Sequence, residues 1–451
     1  MSPKTTDPQI SKLIKQETNR QKNGLVLIAS ENFVSPEVLT ALGSPLTNKY
    51  SEGYPNKRYY GGNEFIDQIE NLTIARAKKL FLPKKQWLKW EVNVQSYSGS
   101  PANLAVYFAL LKPNDKIMGM ALDQGGHLTH GHAVNLSGKI FRSIKYGVNP
   151  KTNLLDYVAI EKIAKKEKPQ LIICGATAYP RQINFERFQK IAKKVNAILI
   201  ADISHIAGLI ASNCHPSPFP YCDIITTTTH KTLRGPRAAI IFAKKEYSDK
   251  INKMIFPGTQ GGPHENTIAA IATALNEALK PDFKKYIQQV IVNTKVLADT
   301  LKKNGFKLIT NGTDNHLILL DLRKNNLSGK EAEKLLEEVG IYVNRNTIPF
   351  DPNPPFNPSG LRLGTPALTS RGMREKEMKT IGELISKLLL NPDDKKIKGI
   401  KPQDKPRGIN PVLSALTRDK KHVFCPLARL IIKKEARLII KKLTSCFPLP
   451  Y

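Results

Sequence analysis

The chain has 451 residues, of which 41% are apolar, and its 69 Lys+Arg against 38 Asp+Glu give a formal net charge of +31. This length predicts more than one domain, because single hydrophobic cores stop growing at roughly 250–300 residues. No apolar run approaches the ~18 residues that a membrane-spanning helix needs, and the first residues lack the apolar core of a secretory signal. We therefore expect a soluble, cytoplasmic protein with no membrane partner.

The positive charge permits two interpretations. An excess of Lys and Arg attracts nucleic-acid phosphates without regard to sequence. The lysines, however, are spread along the whole chain, often as pairs such as Lys193 and Lys194, with no Arg-rich arm or aromatic stripe. We favour a solvated basic surface and expect no nucleic-acid partner. Five scattered cysteines without a C-x-x-C pair predict neither a disulfide framework nor a zinc ribbon.

Residues 1–20 are expected to form a polar helical arm. From 21 to 290, short apolar runs alternate with amphipathic stretches, the pattern of βα units. The strand candidates are rich in Ile, Val and Leu without polar alternation, as in strands buried on both faces. We therefore predict an α/β fold with a large domain built on a mostly parallel sheet sandwiched by helices. The clearest strands are predicted at 171–179, 197–205, 224–231 and 238–245, with a helix at 185–195.

A long helix at 265–305, interrupted near Pro281, is expected to lead into a smaller α/β domain at 291–392. The Pro-rich stretch 348–360 is too stiff for a helix and is predicted to be a loop. The smaller domain is expected to contain a strand at 316–322 and helices at 328–340 and 374–390.

Residues 393–451 form an atypical basic extension with 15 Lys+Arg and 5 Asp+Glu. The sequence ARLIIKK occurs at 428–434 and again at 436–442, and a period of eight matches neither a heptad nor an ideal helix. A basic amphipathic helix is one interpretation. We favour the other, an irregular surface appendage.

The strongest candidate for chemistry is Lys231, within TTTTHKT (226–232) and just before LRGPR. It follows a predicted buried strand, at the edge where α/β sheets bind ligands. Burial and neighbouring positive charge would lower the pKa of its amine, as Schiff-base chemistry requires. An isolated lysine at a strand end would more simply be structural, but this one lies among other polar candidates.

Asp202 ends another predicted strand, within ADISHIAG (201–208), and His205 follows it. A carboxylate in this place can keep the ring nitrogen of pyridoxal phosphate protonated. On its own, D-x-x-H is better explained by a capping Asp and a core His. Its position, 29 residues before Lys231 with a strand at each end, favours the functional interpretation.

Ser98, Gly99 and Ser100 precede a helical run and offer hydroxyls and close backbone approach to a phosphate, although an ordinary helix cap is the alternative.

His127, His130 and His132 lack an accompanying carboxylate or Cys cluster, so we predict no metal. A histidine there can instead stack on a planar ring.

Taken together, the motifs resemble those of serine hydroxymethyltransferase, collinearly from about residue 10 to 392. They are LIASENF (27–33), YSEGYPNKRYYGG (50–62), NVQSYSGSPANLAVY (93–107), DQGGHLTHGH (123–132), ADISHIAGL (201–209), TTTTHKTLRGPR (226–237), FPGTQGGP (256–263) and SGLRLGTPALTSRG (359–372). The resemblance implies the type I fold of pyridoxal-phosphate enzymes, with a sheet of the seven-stranded kind.

The resemblance also implies roles for individual residues. The implied catalytic residues are Lys231, Glu52, Asp202, His127 and His205, with Lys231 carrying pyridoxal 5′-phosphate as an aldimine and Glu52 handling a proton. The implied cofactor contacts are Tyr50, Ser98, Gly99, Ser100, His127, Thr177, Asp202, His205, His230, Lys231 and Gly262. Substrate binding is implied for Ser30, Glu52, Tyr60 and Arg362. Folate binding is implied for Leu122, Gly126, His127, Leu128 and Phe356.

The implied reaction is the reversible conversion of L-serine and tetrahydrofolate into glycine and 5,10-methylene-tetrahydrofolate. Tyr50 and Gly262 would reach the cofactor from the other subunit, which implies a homodimer, or a tetramer built from it. The basic field would help to hold the glutamate tail of folate.

Three features depart from the family's pattern. Ser96 stands where Pro is usual, Ala238 stands where Gly is usual, and the stretch 395–435 resembles an insertion. Two other functions stay open at this point. One is a pyridoxal-phosphate aldolase that acts on β-hydroxy amino acids without folate. The other is a basic RNA-associated chain that keeps the fold without turnover.

Overall fold

The computed structural model describes residues 7–390 and 426–451, with no side chains described for 426–429. The helices are α1 (Pro8–Asn23), α2 (Pro36–Leu42), α3 (Glu64–Phe81), α4 (Gly99–Leu110), α5 (Leu136–Ile140), α6 (Tyr157–Glu167), α7 (Phe185–Lys194), α8 (Ala207–Ala211), α9 (Lys245–Lys253), α10 (Glu265–Ala278), α11 (Pro281–Lys303), α12 (Gly329–Glu337), α13 (Pro366–Ser370), α14 (Glu375–Leu389) and α15 (Pro426–Cys446). None of the helices in the described ranges is both long and apolar enough to cross a membrane.

The strands form one large sheet, one smaller sheet and two short pairs. They are β1 (Leu25–Val26), β2 (Gly53–Tyr54), β3 (Lys57–Arg58), β4 (Trp90–Asn93), β5 (Lys116–Met120), β6 (Arg142–Tyr146), β7 (Leu171–Gly175), β8 (Ile198–Asp202), β9 (Ile224–Thr228), β10 (Ala239–Lys244), β11 (Lys307–Leu308), β12 (Leu317–Asp321), β13 (Ile341–Tyr342), β14 (Asn344–Asn346) and β15 (Gly360–Gly364).

The large sheet has seven strands in the order β4-β10-β9-β8-β7-β5-β6. Strand β10 runs antiparallel to both of its neighbours, β4 and β9, and the remaining four pairs are parallel. Successive residues of its strands pack on opposite faces, since Ile172 belongs to one apolar cluster and Ile173 to the other. Both faces are therefore buried under helices, which confirms the predicted α/β fold.

A second core surrounds the four-stranded antiparallel sheet β11-β12-β15-β14. Helices α11, α12, α14 and α15 contribute to this core, and so do Leu25 and Leu27 from near the start of the described chain. Strand β1 accordingly pairs with β13 rather than with the large sheet. The domain limits drawn at residues 20, 290 and 392 stay predictions.

Several predicted elements take the expected form for identifiable local reasons. Helix α1 begins where the Asp7 side chain accepts backbone hydrogen bonds from Gln9 and Ile10. The long predicted helix is interrupted as expected, because α10 ends at Ala278 and α11 begins at Pro281, whose missing N–H costs nothing at a helix start. The Pro-rich stretch stays irregular until β15 begins at Gly360.

Our prediction of an irregular appendage was wrong for residues 426–446, which form α15. Ile432, Ala436 and Ile440 are buried in the second core. They follow one another at intervals of four residues, so they lie along one side of the helix. The eight-residue repeat thus places isoleucines two helical turns apart with an alanine between them. Residues 393–425, the remainder of the predicted extension, lie outside the described residues.

Arg371 joins the beginning of this core to its last helix. Its guanidinium donates hydrogen bonds to backbone carbonyls of residues 21, 22 and 24 on one side. On the other side it donates to the carbonyls of Thr444 and Phe447. A planar guanidinium carries five N–H donors, so one side chain fastens α15 to the C-terminal end of α1.

Candidate active site

The carboxyl ends of β7, β8 and β9 meet at one edge of the large sheet, around a cavity of about 250 Å³. Parallel strands in this arrangement bring the residues that follow them to a common site. The cavity is lined by eleven of the residues predicted for the site, namely Ser30, Ser98, Gly99, Ser100, His127, Thr177, Asp202, His205, His230, Lys231 and Arg362.

Lys231 lies just beyond β9, and its Nζ donates a hydrogen bond to Thr228 Oγ1 over 2.9 Å. Burial lowers the pKa of this amine to about 8, although the nearby Asp202 carboxylate acts in the opposite direction. The positive charges of Arg362 and Arg237 lower the pKa further. A neutral, nucleophilic amine is therefore available much closer to neutrality than in an ordinary lysine.

Asp202, at the end of β8, is an ionised carboxylate held by three donors. Its Oδ2 accepts hydrogen bonds from Asn103 Nδ2 at 2.9 Å and from His130 Nε2 at 3.2 Å. Its Oδ1 accepts from the backbone N–H of Ser204 at 3.1 Å. Burial alone would raise the pKa of Asp202, but the hydrogen bond and charge of His130, with those of its neighbours, hold it well below the usual range.

The sequence analysis missed Asn103, which connects several of these groups. Its Nδ2 also lies 2.9 Å from Thr129 Oγ1, and its Oδ1 accepts from Thr226 Oγ1 at 2.7 Å. A usable signal was its place on α4, four residues after Gly99, because residues four apart share a helix face. Asn103 therefore lies about one helical turn after the residues that were predicted to bind phosphate, on the same face of α4 as Gly99.

His127 faces the same cavity, and its Nδ1 lies 2.7 Å from Thr129 Oγ1. Burial lowers the pKa of His127 to about 4, and the neighbouring His130 lowers it further. The ring is therefore neutral near pH 7, as suits an imidazole that stacks on a planar ligand.

The start of α4 forms another wall of the cavity. Ser98 is the N-cap residue, but its hydroxyl does not cap the helix. A Cβ on Gly99 would lie 2.7 Å from Thr228 Cγ2, so glycine lets the helix end approach the strand that leads to Lys231. Free backbone N–H groups at a helix N-terminus attract anions, phosphate included.

Arg362, on β15, enters the cavity from the second core. Its Nη1 donates to the carbonyl of Thr177 at 3.0 Å, and its Nε donates to Asn344 Oδ1 at 3.1 Å. Burial lowers its pKa to about 10. Among residues 7–390 and 430–451 no carboxylate forms an ion pair with this guanidinium. Because a buried charge without a counterion is costly, the site is suited to a carboxylate ligand.

Four predicted residues, Tyr50, Glu52, Tyr60 and Gly262, do not line the cavity of their own chain. They lie together elsewhere: the rings of Tyr50 and Tyr60 are 4.8 Å apart, and a Cβ on Gly262 would lie 3.6 Å from the Tyr50 ring. Tyr50 and Tyr60 are exposed. A Cβ on the adjacent Gly261 would lie 3.2 Å from Glu52 Oε1. We call Tyr50, Glu52, Tyr60, Gly261 and Gly262 the tyrosine patch.

The residues predicted for folate are also outside the cavity lining, apart from His127. Leu128 and Phe356 have 41% and 73% of their surfaces exposed. Gly126 is enclosed, since a Cβ there would meet the carbonyl of Met120. Leu122 is partly exposed. Within the described ranges, no group of three or more His, Cys, Asp or Glu side chains is placed to hold a metal ion.

Both single-residue departures from the family's pattern are accommodated. Ser96 is buried, and its hydroxyl donates to the carbonyl of Ser98 at 3.2 Å. Ala238 is buried in the large core, and its carbonyl accepts a hydrogen bond from the backbone N–H of Thr229. Alanine at position 238 is therefore compatible with the backbone hydrogen bond to Thr229, two residues before Lys231.

Comparisons with known proteins agree with this arrangement. The family model for serine hydroxymethyltransferase matches residues 4–385. The chain is 59% identical over 392 residues to a protein of Prochlorococcus marinus named serine hydroxymethyltransferase, covering 87% of this chain and 91% of that relative. Relatives with the same name are 56% identical in Crocosphaera subtropica, over 87% and 91% of the two chains, and 57% identical in Nostoc sp., over 86% and 90%. A model match of this length, together with these relatives, shows that the chain belongs to the serine hydroxymethyltransferase family.

Proposed function

We propose that this chain catalyses the reversible conversion of L-serine and tetrahydrofolate into glycine and 5,10-methylene-tetrahydrofolate, with pyridoxal 5′-phosphate as its cofactor. The observation that carries the proposal is the amine of Lys231, whose pKa is lowered to about 8, in one cavity with the ionised carboxylate of Asp202. Membership of the family supplies the substrates that this cavity is proposed to take.

The residues of the cavity fit this cofactor. Lys231 would hold its aldehyde carbon covalently, Asp202 would pair with its ring nitrogen, and the start of α4 would receive its phosphate. His230 adds a buried Nδ1 without a hydrogen-bond partner among the described residues, as expected at a site that awaits a polar ligand. Bound pyridoxal phosphate would supply an electron sink for negative charge on the substrate's α-carbon.

Arg362 would orient the amino acid by binding its carboxylate through two parallel hydrogen bonds. Ser30 supports this assignment, because its hydroxyl lies 3.4 Å from Arg362 Nη2 and its side chain lines the cavity. A fixed carboxylate leaves the rest of the substrate directed at Lys231, which lines the same space. The productive geometry would then be set before any bond breaks.

We further propose that the active site is completed in a homodimer. The tyrosine patch supports this, because its two tyrosines are exposed and the patch lies outside the cavity of its own chain. In the dimer, Tyr50 and Gly262 would contact the phosphate in the partner's cavity, and Glu52 would move a proton at the serine hydroxyl. Tyr60 would assist in orienting the amino acid.

Folate would contact the exposed apolar side chains of Leu128 and Phe356, with Leu122 and Gly126 beside them. Exposed apolar side chains are suited to a flat aromatic ligand, and Leu128 directly follows His127, which lines the cavity. His127 would take part at the boundary between this surface and the cavity. The basic surface would attract the carboxylates of folate's tail.

The test uses the purified full-length chain with added pyridoxal phosphate. Glycine formation from serine should depend on tetrahydrofolate, and it should be lost in Lys231→Ala but kept in Lys250→Ala, a change at an exposed lysine. Borohydride reduction followed by peptide mapping should place the label on Lys231. A label elsewhere, or none, would overturn the proposal, and an equal rate without tetrahydrofolate would indicate a folate-independent aldolase.

A further inference from the structure

Two buried histidines face each other where the large domain meets the second core. His205 follows β8, and His316 immediately precedes β12. Their rings are nearly parallel, with an angle of 26° and centroids 5.4 Å apart, and Nδ1 of His205 lies 3.2 Å from Nε2 of His316. One proton must lie between these two nitrogens for the contact to be a hydrogen bond.

The surroundings of His316 decide which ring carries that proton. Its other nitrogen, Nδ1, is fully buried and has no hydrogen-bond partner among the described residues. If His205 donated, a neutral His316 would carry its own proton on this buried Nδ1, as an unsatisfied donor. Orphaned buried N–H groups are rarer than under-satisfied acceptors. His316 Nε2–H is therefore the donor, and His205 Nδ1 is the acceptor.

The tautomer of His205 follows from that direction. A neutral imidazole that accepts at Nδ1 carries its proton on Nε2. The ring of His205 lines the cavity, and its Nε2 has no partner among the described side chains. Burial lowers the pKa of His205, as do the charges of Lys231 and Arg362, so the ring stays neutral. His205 thus offers the cavity one neutral N–H donor.

His316 is itself held firmly in the second core. Its carbonyl accepts a hydrogen bond from the backbone N–H of Thr365. The adjacent Asn315 donates from Nδ2 to the carbonyl of Tyr179, in the large domain, at 2.9 Å. The backbone that carries the His316 ring is therefore held from both sides of the junction.

We infer that His316 is a positioning residue, which locks His205 as the Nε2–H tautomer so that His205 donates a hydrogen bond to an oxygen of the ligand in the cavity. The nature of that ligand rests on the proposed function, whereas the tautomer does not. Without His316, the His205 ring would be free to exchange tautomers and to rotate, and the donor would be present only part of the time.

The experiment records nitrogen-15 spectra of the histidine rings in the full-length chain, with and without pyridoxal phosphate. The His205 signals are assigned by their loss in His205→Asn. Wild type should show a single Nε2–H tautomer, and His316→Leu should show a tautomer mixture. His316→Gln should keep the wild-type spectrum, because its amide can donate from about the position of the imidazole Nε2.

Kinetics provide the second readout. Replacing His316 by Leu should lower kcat about tenfold, and replacing it by Gln should change kcat by less than about threefold. His215→Leu is the matched control, since His215 is also buried but lies outside the cavity lining. It should leave both kcat and the His205 spectrum unchanged.

A wild-type His205 in the Nδ1–H form would overturn the inference, and this result needs no variant to fold. An unchanged His205 spectrum in His316→Leu would also overturn it. The two proposals fail separately: a locked Nε2–H tautomer in a chain that forms no glycine contradicts only the proposed function. A mixture of His205 tautomers in a wild-type chain that does form glycine contradicts only the role of His316.

Discussion

Asn103 and Asp202 form a hydrogen bond of 2.9 Å that joins the first turns of α4 to the end of β8. The Asn103 amide is buried and forms hydrogen bonds at both ends. Its oxygen accepts from Thr226, and its nitrogen donates to the Asp202 carboxylate and to Thr129. The carboxylate is thereby oriented from the same helix whose N-terminus is proposed to hold phosphate. This link can be tested directly.

Replacing Asn103 with Ala should weaken pyridoxal phosphate binding about tenfold, because Asp202 loses a donor and can turn away from the cofactor ring. The loss is measured by titrating the chain with cofactor and following visible absorption. Asn293→Ala is the control, since Asn293 is also buried and its amide also donates two hydrogen bonds and accepts one, but beside the second core. Equal losses of affinity in the two variants would argue against a specific role for Asn103.

The lowered pKa of Lys231 predicts how its reactivity depends on pH. In the chain without added cofactor, labelling of Lys231 by a small aldehyde with a mild reductant should reach half its maximum near pH 8, because only the neutral amine reacts. An ordinary lysine has a pKa of about 10.4, so its labelling should still be rising well above that pH. Peptide mapping across a pH series measures both. Labelling of Lys231 that follows the bulk of the lysines would contradict the assignment.

Arg362→Lys should raise the KM for serine roughly 30- to 100-fold, because a lysine cannot form two parallel hydrogen bonds with a carboxylate. The change in kcat should be smaller if Arg362 acts mainly in binding. Arg345→Lys provides a control on the neighbouring strand, where Arg345 pairs with Glu333 away from the cavity. A KM that rises equally in both variants would not support the proposed role.

Glu265 predicts a pH-dependent stability. Burial raises the pKa of this carboxyl group to about 7, with the nearby Glu70 acting in the same direction. Between about pH 4.5 and 7, the folded chain therefore binds a proton that the unfolded chain has lost, so stability falls as pH rises through this range. Replacing Glu265 by Gln should make the decline shallower by up to about 1.4 kcal/mol per pH unit.

Thermal unfolding midpoints recorded from about pH 5 to pH 8 measure the effect. The control is Glu277→Gln, on the same helix, because Glu277 also contacts a serine hydroxyl, that of Ser35, but is partly exposed. The Glu277 variant should keep the wild-type dependence. An unchanged slope in Glu265→Gln would show that this carboxyl group does not titrate in the stated range.

The packing of α15 predicts a strong contrast between two neighbouring positions. Ile440→Ala should cost about 2–4 kcal/mol of unfolding free energy, because it leaves a cavity in the second core. Leu438→Ala should cost less than about 0.5 kcal/mol, since that side chain is 67% exposed. Denaturant unfolding of both variants measures the difference. Equal costs would mean that α15 does not pack as described.

Much of the site could be predicted because it follows from local patterns. Asp202 and Lys231 come at the ends of buried strands, and the ends of parallel strands share an edge of the sheet. The serine and glycine residues at the start of α4 were recognisable from the turn that they form before an apolar helix. Each of these signals lies within about ten residues of chain.

Contacts between distant segments could not be predicted in this way. His316 is 111 residues away from His205, and no spacing in the sequence indicates that the two rings meet. The helix α15 was missed for a different reason. Equivalent residues of an eight-residue repeat are rotated by about 80° around an ideal helix, so the repeat alone does not indicate one buried face. Ala436, which lies between the two buried isoleucines, completes that face.

Arg371 gives the second core an unusual dependence on the order of synthesis. The carbonyls that it binds belong to residues 21–24 and to residues 444–447, more than 400 positions apart. The hydrogen bonds from Arg371 to the earlier group span 347–350 positions. Contacts so distant along the chain form late during folding, because closing the loop between them costs entropy. On the ribosome, the carbonyls at the end of α1 would therefore stay without this partner until Arg371 has emerged.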